Sequence, residues 1–163
     1  MTDAVIAENM NGRVFATDDA ETIARLRAYV KLVRALRAVV GRLEPYLATE
    51  DLTLTQLGVL EALLHKGRMS HRDLGRKVLT SAGNVTDVVD KLEGRGLVAR
   101  VRDRADRRQI LVDLTPEGRL VIERVFPRHV ADIGAVFGVL DPQEITALDG
   151  LLRRLGRHAA ELE

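Results

Sequence analysis

The stretch Val98–Leu114, VARVRDRADRRQILVDL, decides how the rest of the chain is read. At its centre DRADRR, Asp103–Arg108, places five charged residues of both signs among six. On either side apolar residues fall at every second position, the period of a β-strand. The stretch therefore reads as a hairpin, with Leu97, Ala99 and Val101 pointing one way and Ile110, Val112 and Leu114 sharing that face across the turn. A loop that only has to be soluble needs polarity, but this one carries Arg100, Arg102, Arg104, Arg107 and Arg108. Arginine at a hairpin tip suits a DNA minor groove, where a flat, weakly hydrated cation meets a narrow channel of enhanced negative potential. Asp103 and Asp106 make poor phosphate contacts. As braces they hold neighbouring arginines extended through charge-assisted hydrogen bonds, which lowers the side-chain entropy lost on binding.

Upstream of the hairpin the period changes to that of helices. Ser70 caps a short helix through Leu74 and Val78, and Thr80 or Ser81 caps another whose apolar residues are Val85, Val88, Val89 and Leu92. Two short helices and then a hairpin make a winged helix-turn-helix, in which the second helix enters a major groove. With its four apolar residues turned inward, that helix presents Thr80, Gly83, Asn84, Asp87, Asp90 and Lys91. Asn can pair in two places with adenine, Thr can meet a thymine methyl or a phosphate, and Gly83 lets backbone approach. Asp87 and Asp90 oppose phosphate unless they read a cytosine amino group or pair with Lys91 or Arg95. Arg72, Arg76 and Lys77 on the leading helix are placed for backbone phosphates.

Charge follows the same division. The 163 residues carry a formal net charge of +1, yet Lys66–Leu111 holds 12 Lys and Arg against 6 Asp and Glu, leaving 13 against 18 elsewhere. There is no cysteine, which excludes disulfides and thiolate metal sites. No run approaches the ~18 apolar residues of a membrane span, and the N-terminus has no signal-peptide pattern, so the expected compartment is the cytoplasm. No phosphate-binding glycine loop is present, since GRGLVAR leads from a helix into a strand, and no Ser-His-Asp or paired-acid spacing stands out. An enzyme is not expected.

Around the hairpin lie longer helices. Asp18 with Glu21 has capping-box spacing, and Ile23, Leu26, Val30, Val33, Leu36, Val40 and Leu43 then trace one helix that should end before Pro45. Thr53 with Gln56 opens a helix carrying Leu57, Leu60, Leu63 and Leu64, which Gly67 closes. Thr115, Pro116 and Glu117 start a long helix that Pro127 should kink or divide. Asp141, Pro142 and Glu144 start the last, with Leu148, Leu151, Leu152, Leu155 and Leu162 on one face. The expected fold is mainly α with a small β-hairpin wing. Residues 1–17 read as a mobile leader and 18–163 as one unit, with dimerisation helices at 18–46 and 118–163 and a winged helix-turn-helix lobe at 53–115.

Several of these residues carry a family resemblance. Asp106, Arg108, Leu114, Thr115 and Gly118 reproduce a wing signature, Lys91–Arg100 (KLEGRGLVAR) an exit from the recognition helix, and Leu52–Leu63 (LTLTQLGVLEAL) the helix before the DNA motif. Together they resemble the multiple-antibiotic-resistance regulator (MarR) family over about residues 20–162. The resemblance implies a homodimeric transcription regulator, usually a repressor released from its operator by a small molecule. It implies Arg108 as the minor-groove arginine, Asp106 as its brace, Asn84 and Thr86 as recognition-helix contacts, and Arg100 as a phosphate contact. Gly75 and Asp87 depart from the pattern, standing where the family commonly has Ala and a basic residue.

A first helix of ~36 Å, at ~1.5 Å per residue, is too long for the core of one such chain. Packing the first helix with the last two helices of a second copy would cover the stripes, which an intramolecular bundle could also do, and a two-fold dimer would hold two recognition helices about one DNA turn, ~34 Å, apart on a pseudo-palindrome. Family pockets lie between the dimerisation helices and the DNA-binding lobe, which makes Tyr29, His65 and residues near Phe126 ligand candidates by position. No cofactor is expected, and the absence of cysteine rules out the peroxide-sensing branch. Two alternatives stay open: a winged-helix module that reads another protein, and a metal-responsive repressor using His65 or His71.

Overall fold

The computed structural model describes residues 19–78, 82–103 and 108–162. Among the described residues six helices and three short strands follow in the order α1 (Ala20–Thr49), α2 (Leu54–Lys66), β1 (Met69–Ser70), α3 (His71–Lys77), α4 (Ala82–Gly94), β2 (Val98–Arg102), β3 (Ile110–Leu114), α5 (Pro116–Phe137) and α6 (Pro142–Glu161). The chain is mainly α with a small antiparallel sheet, ordered β1-β3-β2. The described residues divide into two compact units, the first ending at Arg42 and the second beginning at Leu43.

Most helix starts follow from their caps. The Thr53 hydroxyl accepts from Gln56 N at 3.2 Å while Gln56 Oε1 accepts from Thr53 N at 2.9 Å, which satisfies two otherwise unbonded donors of α2. Asp141 and Glu144 make the same reciprocal pair at α6. The Ser70 and Thr115 hydroxyls accept from Asp73 N and Gly118 N. At the start of α1 Asp19 accepts from the backbone of Glu21 and Thr22; the expected cap Asp18 and the leader lie outside the described residues.

Both internal prolines are absorbed. α1 does not end before Pro45 but runs through it to Thr49, because Leu43 and Leu47 are buried on one face while Pro45 is exposed on another. The hydrogen bond that Pro45 cannot donate is therefore lost on the solvent side, and burial of the two leucines outweighs it. Likewise α5 continues through the exposed Pro127 as one helix and is not divided.

In the second unit the core gathers Leu47 from the end of α1, Leu57, Leu60 and Leu63 from α2, Leu74 from α3, Val85, Val89 and Leu92 from α4, Val98 and Val112 from the sheet, and Val121, Ile122 and Val125 from α5. Every apolar residue assigned to the inner face of α4 is buried. In the wing, by contrast, the phase is shifted. Val98, Arg100 and Arg102 stand opposite Leu114, Val112 and Ile110, whereas Ala99 and Val101 stand opposite Asp113 and Leu111. Leu97 belongs to the turn leaving α4, where its N–H bonds to Leu92 O, so the strand alternation starts one residue later than the apolar pattern suggests. Ile110, expected inward, is half exposed. The third strand, β1, was not foreseen. It pairs Met69 with Val112 and Ser70 with Leu111.

Candidate nucleic-acid interface

The interface is built on three elements whose inner sides are core. α4 turns Val85, Val88, Val89 and Leu92 inward, which leaves Asn84, Thr86, Asp87, Asp90 and Lys91 exposed on the other side. Gly83 lies in the first turn of α4. Arg72 and Arg76 are exposed on α3, where Arg76 lies 3.8 Å from Asp73. In the wing Arg102 and Arg108 are exposed, and Asp103 N donates to Gln109 O at 3.0 Å, so the ladder continues one step past the paired strands. Thr80, Arg104, Asp106 and Arg107 lie outside the described residues.

Several partnerships depart from expectation. Asp90 pairs with neither Lys91 nor Arg95 but with Arg100, at 2.5 Å. Arg95 instead bonds the carbonyls of Asp51 and Glu50 in the turn after α1, and its guanidinium lies 3.7 Å from the Asp51 carboxylate. Asp51 has φ 56°, in the left-handed region that Asp enters more readily than most residues with a side chain. Arg100 also bonds Glu93, so the arginine expected on a phosphate is already engaged by two carboxylates of α4. Glu93 was not singled out by the sequence, because its partner lies across a turn that local periodicity does not describe. A further unforeseen ion pair, Arg68 with Asp113 at 2.6 Å, ties the segment before β1 to β3.

The wing is fixed to α5 by a close approach. Thr115 Oγ1 donates to Gly96 O at 2.7 Å and Thr115 N to Leu97 O at 3.2 Å, where Gly96 takes the turn at φ 71°. Gly118 packs against that same Leu97 carbonyl. These contacts give a structural reason for the Leu114, Thr115 and Gly118 signature.

His65 stacks edge-on against Phe126, ring centres 5.7 Å apart, and helps line a cleft of about 510 Å³ with Thr55, Gly58, Glu61, Lys66 and Lys77. Tyr29 belongs to the first unit and is exposed. His71 and His129 both have their pKa lowered, chiefly by burial. Among the described residues no group of three or more His, Asp, Glu or Cys side chains is placed to hold a metal ion. No described helix is long and apolar enough to cross a membrane.

A buried-core helix pair with a polar outer face, followed by an arginine-bearing hairpin, defines a winged helix-turn-helix DNA-binding protein. Comparison with known proteins makes the class specific. The MarR family model matches residues 52–110. The transcriptional regulator MhqR of Bacillus subtilis is 32% identical over 136 residues, spanning 83% of this chain and 94% of its own. BpsR of Bordetella bronchiseptica, whose DNA binding is regulated by 6-hydroxynicotinic acid, superposes with a TM-score of 0.71 at 33% identity, covering 80% of this chain and 98% of that one. AbsC of Streptomyces coelicolor, a MarR family transcriptional regulator, superposes with a TM-score of 0.79 at 25% identity over 92% of this chain and 100% of its own. The chain belongs to the MarR family of DNA-binding transcription regulators.

Proposed function

We propose that the protein is a cytoplasmic homodimeric repressor that binds a pseudo-palindromic operator and is released from it by a small-molecule ligand. The observation that carries this reading is the exposed polar face of α4, with Asn84 and Thr86, standing beside a wing that exposes Arg102 and Arg108. Asn84 and Thr86 read bases in the major groove, the wing arginines, with Arg104 and Arg107, enter the minor groove, and Arg72 and Arg76 meet phosphates. Thr80, Gly83 and Lys91 complete the helix face, while Asp103 and Asp106 brace the wing.

Dimerisation follows from unpaired apolar surface. On α6 no residue is buried, and Ile145, Leu151, Leu152 and Leu155 are all exposed in the single chain. Leu26, Leu32 and Leu36 are exposed on the first unit. Apolar stripes of this length on water favour a partner, and a two-fold copy supplies the same stripes. The effector reading rests on the cleft at His65, whose Lys66 and Lys77 suit a small carboxylate, and on the regulation of BpsR by 6-hydroxynicotinic acid.

The test is binding to the duplex upstream of the protein's own coding sequence, followed by fluorescence anisotropy at low and moderate salt. Affinity should fall steeply as salt rises, because each neutralised phosphate releases counterions. Binding without salt dependence would sink the phosphate-contact account. Arg108→Ala should weaken binding to every duplex, whereas Asn84→Ala should change the preferred sequence in a binding-site selection.

A further inference from the structure

Arg100 sits in the middle of β2, yet its bonds run to two helices. Its backbone N–H donates to Glu93 Oε1 at 2.9 Å, its Nη1 donates to Glu93 Oε2, and its Nη2 donates to Asp90 Oδ1 at 2.5 Å. The same Nη2 lies 3.5 Å from Nε2 of His71, the first residue of α3. One side chain therefore touches α3, α4 and the wing. It is also less exposed than either carboxylate, with 26% of its side chain accessible against 56% for Asp90 and 39% for Glu93.

This arrangement is ill suited to a phosphate. Two of the guanidinium nitrogens already donate to carboxylates, and those carboxylates would repel an incoming phosphate oxygen. It is well suited to holding an angle. α4 and β2 are joined by a turn through Gly96, at φ 71°, held towards α4 by Gly96 N to Glu93 O and Leu97 N to Leu92 O and towards α5 by the Thr115 bonds to Gly96 O and Leu97 O, all of them at the base of the wing. The hairpin extends beyond that turn at about 3.3 Å per residue, so a small rotation at the turn is amplified at the tip. Arg100 ties the strand back to α4 part-way along. A planar guanidinium shared between two carboxylates has little freedom to follow a swing.

We propose that Arg100 is a positioning residue that makes no DNA contact of its own. With Glu93 and Asp90 it clamps the wing at a set angle to α4, so that the base-reading helix and the groove-reaching hairpin engage one duplex together. The inference rests on the DNA-binding reading of α4 and the wing given above.

The signs of the expected effects separate this role from a direct contact. Glu93→Gln and Asp90→Asn each remove a negative charge beside the interface, so plain electrostatics predicts tighter binding or no change. The clamp instead predicts weaker binding, by about tenfold, the size of coupling found between groups sharing one network. Thermal transitions should stay close to that of the parent protein, since exposed ion pairs contribute little to stability. If Glu93→Gln fails to fold, Asp90→Asn, which breaks a single Nη2 bond, carries the same prediction. In a double-mutant cycle, Arg108→Ala should cost clearly less in an Arg100→Gln background than in the parent, because a wing that is no longer aimed has less to lose. Unchanged or tighter binding in the carboxylate variants overturns the clamp. So does additive behaviour of Arg100→Gln and Arg108→Ala with a salt slope reduced by about 0.9, the mark of one direct phosphate contact. Should the parent protein bind no duplex, the reading of the interface fails and the clamp fails with it; a parent that binds alongside unaffected variants refutes the clamp alone.

Discussion

Gly118, in the first turn of α5, faces the carbonyl oxygen of Leu97 so closely that a Cβ at that position would lie 1.8 Å from it. The carbonyl carbon would be 2.8 Å away and the Leu114 side chain 3.1 Å. Because the obstacle is backbone, it cannot rotate aside. Gly118→Ala should therefore push α5 off the wing base at a cost of about 3 kcal/mol, the upper range for overpacking. Calorimetry should show a lower Tm, and DNA binding should weaken together with it. An alanine variant with the parent's Tm would mean that the contact is looser than described.

Leu60 lies on α2 at the centre of the core and has no exposed surface. Leu60→Ala should cost about 2–5 kcal/mol through lost burial and a residual cavity. By contrast, Thr53→Ala, which removes a cap hydroxyl and leaves the core intact, should cost about 1 kcal/mol. Chemical denaturation of both variants should preserve this order.

Acidification should destabilise the protein in two separate windows. His71 and His129 have folded pKa values lowered from 6.5, first by burial, with Arg100 adding to the effect at His71. The charged neighbours facing His71 are Arg100, Asp90 and Glu93, and those facing His129 are Glu61 and Asp132. Above 6.5 both rings are neutral whether the chain is folded or unfolded, and they impose no penalty. As pH falls below that value the unfolded chain takes up protons first, so stability is lost until the lower folded pKa values are passed. Glu93, whose pKa is lowered first by the Arg100 backbone N–H, contributes above its unfolded value of 4.5 and loses that contribution only in more acid solution. Thermal melts across this range should show a first decline as pH falls below 6.5, and His129→Gln should flatten it.

Removing apolar surface from α6 tests the proposed dimer. Leu152 and Leu155 are exposed in the single chain. Changing both to Ser should shift the sedimentation behaviour toward a monomer and raise the concentration needed for operator binding, while helicity is retained. A double variant that sediments like the parent would rule out α6 as the surface that joins two copies.

Much of this molecule is legible locally. The stripe Val85, Val88, Val89 and Leu92, the caps Thr53, Ser70, Thr115 and Asp141, and the hairpin either side of DRADRR each depend on a few neighbouring residues, so a short window of sequence contains the physics that forms them. The errors have a common source. Pro45 reads as a helix end because nothing in the window around it records that Leu47, two residues on, is buried, and the wing phase reads one residue early because Leu97 and Val98 are both buried, one by the turn and one by the strand.

The candidate interface divides in the same way. Its residue types and the side of α4 they occupy follow from the sequence, since an apolar stripe on one face dictates which residues are left for solvent or DNA. What each charged group does was decided by tertiary structure. Whether Arg100 reaches for a phosphate or for Glu93 depends on how β2 returns over α4, and whether Met69 and Ser70 form a strand depends on β3 arriving beside them. Neither depends on near neighbours in the chain. Periodicity and capping are local and therefore written in order along the sequence; ion pairing and strand addition join segments that only the folded chain brings together.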